Sequence, residues 1–101
     1  MLLEDDVVVT NNLILAELIP FLKMKRQGRL IELLRSISNP GMEIDWNRII
    51  ALQYLCLENG LNGVAIPDLL IADNAMQHQA GIFSLDTHFP RMAAFMDFEM
   101  F

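Results

Sequence analysis

Two acids in one short part of this chain constrain its fold more than any other feature. Ile66-Pro67-Asp68-Leu69-Leu70-Ile71-Ala72-Asp73-Asn74-Ala75 reads as a helix with Asp68 at its start. Ile82-Phe83-Ser84-Leu85-Asp86-Thr87-His88-Phe89 reads as a strand with Asp86 just beyond its end. A helix that packs back on such a strand brings the two carboxylates to the carboxyl edge of a sheet, where open α/β sheets bind ligands. Two acids so placed do little to stabilise a fold and are well suited to holding a divalent cation.

The length, 101 residues, fits one domain spanning 1–101 and leaves no room for a second. The hydrophobic content of 53% predicts a dense core, a large partner surface, or both, and argues against disorder. The longest apolar run, Leu13 to Leu22, is too short to cross a bilayer and contains Glu17 and Pro20. The opening Met1-Leu2-Leu3-Glu4-Asp5-Asp6 lacks the basic start of a signal peptide, so a cytoplasmic location without membrane attachment is expected. The single Cys56 fits a reducing compartment and excludes an internal disulfide. A net charge of −6 argues against broad nucleic-acid binding, although Lys23, Lys25, Arg26, Arg29 and Arg35 fall close together.

Along the chain, Val7 to Thr10 reads as a buried strand. Asn11 or Asn12 can cap a helix to about Arg26, kinked at Pro20. A second helix follows from about Gln27 to Ile37. Ser38-Asn39-Pro40-Gly41 is a turn, and Met42 to Asp45 a further strand. Asp45 can cap a helix from Trp46 to about Glu58, closed by Asn59-Gly60. Pro67 opens the next helix, which reaches about Gln79 and ends at Gly81. Ile82 to Leu85 is a strand, His88 to Phe95 a short helix, and Met96 to Met100 a last strand. This alternation predicts a mostly parallel sheet with helices on its faces.

Glu17 is the third acid of interest. It is the only charge between Leu13 and Leu22 and shares a face with Leu13 and Phe21. A carboxylate buried there is costly unless it is paired or metal-bound, and the alternative is an acid at the edge of the apolar stripe that reaches water or a nearby Lys. Asp68 also has a structural reading, since a first-turn acid favourably meets the helix dipole, and Asp86 can simply cap the segment after it. Asp73 and Asn74 point away from Asp68 and read as a solvated or partner-facing side. His78 and His88 lack zinc-ligand spacing and read as surface residues. Cys56 and the scattered methionines read as core.

With Glu17, Asp68 and Asp86 assembled, the chain resembles the PIN-domain ribonucleases, in particular the VapC-type toxins of bacterial toxin–antitoxin pairs. Leu15-Ala16-Glu17-Leu18, Ile66-Pro67-Asp68-Leu69-Leu70-Ile71-Ala72 and Ser84-Leu85-Asp86-Thr87-His88-Phe89 are similar to that family's second, third and fourth acidic motifs. The resemblance implies an α/β, PIN-like three-layer domain. It implies catalysis by Glu17, Asp68 and Asp86, which would hold Mg²⁺ or Mn²⁺ for cleavage of RNA, with Ser84 supporting them. It further implies a homodimer and an antitoxin partner. Lys23, Lys25, Arg26 and Arg29 are candidate phosphate contacts.

One departure stands out. The family opens with a central strand ending in Asp, followed by a helix, and neither is found ahead of Val7 to Thr10; Asp5 and Asp6 cannot be carried over as that acid. The expectation is therefore an N-terminally incomplete domain with a gap between the strands near Val8 and Phe83, in a late-start chain or one completed by another chain. A catalytically impaired module that acts by protein binding is the alternative reading. A small α/β domain with an unrelated ligand is the third.

Overall fold

A computed structural model of the chain describes residues 2–4, 7–82, 84 and 86–100, with backbone alone for 3, 4 and 7–9. The elements are β1 (Leu2–Glu4), β2 (Val7–Val9), α1 (Asn12–Met24), α2 (Gly28–Ser36), α3 (Trp46–Glu58), α4 (Ile66–Gln77), β3 (Gly81–Ile82) and α5 (His88–Ala93).

The sheet order is β2-β1-β3, and β1 runs antiparallel to both neighbours. The register pairs Leu2 with Val9 on one side and with Ile82 on the other. This corrects two expectations. The position between the Val8 strand and the strand that begins at Gly81, expected to be empty or filled by another chain, is occupied by residues 2–4 of this chain. The named strands pair antiparallel rather than mostly parallel, and an isolated bridge from Ile82 to Met100 is parallel. For β1 and β2 the cause is the connection. Glu4 pairs with Val7, so only two residues separate the strands, and a link that short can join only antiparallel neighbours. Residues 5 and 6 themselves lie outside the described residues, as do Phe83 and Leu85 of the expected Ile82–Leu85 strand.

The helices follow their local signals closely. Asn11, not Asn12, caps α1: its side-chain oxygen accepts from the Ile14 N–H at 2.8 Å. The helix runs on through Pro20, and its turn is closed by Arg26 in the left-handed region (φ 55°), with Gln27 N–H bonded to the Leu22 carbonyl. Asp45 caps α3, accepting from the Asn47 and Arg48 amides. Helix α4 starts one residue before Pro67, and Gln79 rather than Gly81 makes its left-handed exit (φ 51°). Residues 42–45 form no strand; the backbone of Glu43 bonds instead to the Gln77 side chain. The segment 96–100 likewise forms only the Met100 bridge.

The core gathers around α4, where Leu69, Ile71, Ala72 and Ala75 are buried with Leu2, Ile82 and Met92. Cys56 is buried as expected, and burial pushes its thiol pKa up. Met24, by contrast, stands in solvent.

The clearest correction concerns Asp73 and Asn74, which are not solvated but buried, at 4% and 1% exposure. Helix α4 meets α3 on one side and α1 and β3 on others, so no face is left for them to turn to water. Their polar groups are met internally. Arg48 grips Asp73 with two N–H···O bonds of 3.0 Å, and Gln77 adds a third at 2.9 Å. Asn74 accepts from the Asn11 side chain at 2.8 Å and donates to the Gly41 carbonyl at 3.0 Å.

Asn11 therefore both caps α1 and ties it to α4. Asn11→Ala is expected to cost about 2–4 kcal/mol, from a lost cap and a buried Asn74 oxygen left unmet. Asn12→Ala, at an exposed position, should stay within about 0.5 kcal/mol. Urea unfolding checks both, and equal costs would contradict this role for Asn11.

Candidate metal centre

Each acid reaches the centre from a different element. Asp68 lies in the first turn of α4, and α4 is held in place by the Asp73 and Asn74 cross-links one to two turns further on. Asp86 lies in the segment between β3 and α5. Its amide donates to the Ser84 hydroxyl at 3.1 Å, and its Oδ1 accepts from the His88 amide at 2.8 Å. Ser84 thus steadies the backbone that carries Asp86.

Asp68, Asp86 and His88 each offer a ligand atom, all within 4.8 Å of one another. The His88 Nδ1 stands 3.3 Å from Asp86 Oδ1 and 3.9 Å from Asp68 Oδ2. His88 is therefore not a detached surface residue but a member of the group. The sequence signal was local: a carboxylate that caps the amide two residues ahead also brings that residue's side chain alongside.

Glu17 is placed differently. It is exposed on α1, so the edge-of-stripe alternative holds rather than burial, and it lines the rim of the same cavity of about 200 Å³. Ile14, Ile71, Ile82 and Phe89 form the apolar walls. Lys23, Lys25, Arg26 and Arg29 are all exposed around the end of α1 and the turn into α2. They are not part of the acidic group; Lys25 lies 5.7 Å from the Phe21 ring centre.

Burial pushes the Asp68 carboxyl above its ordinary pKa, and the facing Asp86 charge pushes it further, outweighing the opposite pull of His88 and the Ala65 backbone. Facing acids over an apolar wall are electrostatically unfavourable without a cation. The donors, two hard carboxylate oxygens and an imidazole nitrogen, fit a divalent ion such as Mg²⁺ or Mn²⁺.

The family model for the PIN domain matches residues 1–95. The chain belongs to the PIN domain family. PIN domains are generally nucleases and usually use divalent metal ions, which agrees with the donor set of Asp68, Asp86 and His88. The family assignment supports the expected α/β class. No curated protein and no solved structure matches the chain. Among the described residues, no helix is long and apolar enough to cross a membrane.

The raised Asp68 pKa sets a pH dependence of stability. Since the folded value lies above the unfolded one, the favourable contribution is full below the ordinary Asp value of about 4 and is lost as pH rises through the raised value. Chelator-treated Asp68→Asn is thus expected to melt above the unaltered protein at pH 7, with the gap closing below pH 4. Scanning calorimetry at the two pH values checks this, and a lower melting temperature for the variant at pH 7 would contradict it.

Proposed function

We propose that this PIN domain is a metal-dependent endoribonuclease of the VapC toxin type, in which Asp68 and Asp86 hold Mg²⁺ or Mn²⁺ and Glu17 completes the site from the cavity rim. The observation that carries the reading is the convergence of Asp68 and Asp86, from separate elements, beside the apolar wall that Glu17 overhangs. When bound, the ion would activate water and stabilise charge at an RNA phosphate. Asp68 and Asp86 bind and orient it, with the Ser84 hydroxyl fixing the backbone of Asp86. Glu17, exposed at the rim, orients a water at the open side. Lys23, Lys25, Arg26 and Arg29 offset the overall negative charge and contact phosphates flanking the cut.

A second reading, a catalytically impaired module acting through protein binding, is favoured by a different observation. Trp46, Ile50, Tyr54 and Leu57 recur at helical spacing on α3 and are each more than half exposed. In a VapC-type protein such apolar surface would serve a homodimer or an antitoxin. The two readings diverge in their need for metal.

Purified chain with Mn²⁺ is expected to cleave a mixed RNA pool, and both chelator and Asp86→Asn should abolish cleavage. Folded protein that binds partners but leaves RNA intact would favour the second reading. For the basic group, Lys25→Glu with Arg26→Glu should weaken RNA binding and lower the salt slope by about 1 per phosphate contact removed. Unchanged affinity in fluorescence anisotropy would remove these residues from the interface.

A further inference from the structure

The group proposed above to hold the cation has an imidazole nitrogen beside its two carboxylates. We propose that His88 binds the cation directly through Nδ1, making a mixed oxygen–nitrogen site that takes Mn²⁺ in preference to Mg²⁺. This rests on the reading that Asp68 and Asp86 hold a cation.

Geometry is the first support. Nδ1 faces both acids, at 3.3 Å from Asp86 and 3.9 Å from Asp68. Both ring contacts are within ion-pair range but longer than the about 2.7–2.9 Å of a tight charge-assisted hydrogen bond. Donors that share one ion with bonds of about 2.0–2.2 Å stand about 3–4 Å apart. The 3.3 and 3.9 Å separations from Nδ1 fall in that window, and all three donor atoms lie within 4.8 Å of one another, so one ion is within reach of the ring and both acids.

The second support is the way the ring is held. His88 opens α5, and its amide is bonded to Asp86 at 2.8 Å, so the backbone sets the imidazole beside that carboxylate. Its neighbour Phe89 is buried at 4% exposure and anchors the turn. The ring is half-buried beside the two acids, open enough for a cation to reach it. With Nδ1 as ligand, the ring proton resides on Nε2.

The third support is donor chemistry. Mg²⁺ favours oxygen and water and keeps a strict octahedron, whereas imidazole suits the transition metals, for which affinity at a given site rises from Mn²⁺ onward. A nitrogen among the ligands therefore biases the site away from Mg²⁺.

The test uses untagged, chelator-stripped full chain with Mn²⁺. Electron spin-echo modulation is expected to show coupling to a directly bound ¹⁴N, lost in His88→Gln and retained in His78→Gln. Since the chain has two histidines, the His78 variant alone assigns the coupling if His88→Gln fails to fold. Calorimetric titration should show Mn²⁺ affinity falling about tenfold or more in His88→Gln, with Mg²⁺ affinity nearly unchanged. Mn²⁺ that binds the unaltered chain and is lost in Asp86→Asn, but shows no nitrogen coupling, would overturn the His88 proposal and leave the carboxylate site standing. No Mn²⁺ binding at all, or binding indifferent to Asp86→Asn, would overturn both.

Discussion

Helix α4 is buried on nearly every side, and that constraint organises the rest. A helix so enclosed cannot present a polar residue to water, so Asp73 and Asn74 must be met from neighbouring elements. The Arg48 fork comes from α3, the Asn11 amide from the cap of α1, and the Gly41 carbonyl from the turn between α2 and α3. These bonds are directional, whereas apolar packing is not, and together they fix the rotation and axial position of α4. The bearing of Asp68, in the first turn of the helix, follows from them.

The site then carries a local electrostatic cost that the cross-links allow the fold to bear. Asp68 stands against the Asp86 charge in a cavity walled by isoleucine and phenylalanine, where neither acid has a lysine or arginine partner among the described residues. A site built for stability would place a cation there in the sequence. A soluble ion bound there would convert the unfavourable pair into binding free energy and make stability respond to metal by mass action.

How far this was legible in the sequence depends on the range of the signal. Both ends of α3 and the start of α4 were readable because Asp45, Asn59 and Pro67 act within one turn of where they stand. Asp68 and Asp86 were readable as a pair because a helix start and a strand end have predictable positions. Strand β1 was not, since Leu2 pairs with Ile82 across most of the chain and a three-residue strand carries little periodic pattern. Asp73 and Asn74 were misread because polarity alone suggests solvent, and only the tertiary enclosure of α4 makes them cross-links. His88 was missed because metal spacing was sought along the chain, while its partner Asp68 lies on another element. Segment 42–45 shows the opposite error: its apolar and polar alternation resembled a strand, yet the Gln77 side chain satisfies that backbone instead.

The central claim is that Asp68 and Asp86 converge to hold a divalent cation. Anomalous X-ray diffraction from a crystal of the chain soaked in Mn²⁺ tests it most directly. The account predicts a single strong peak within bonding distance of both carboxylates. Carboxylates seen close together with no peak between them, or a peak held by other residues, would contradict it.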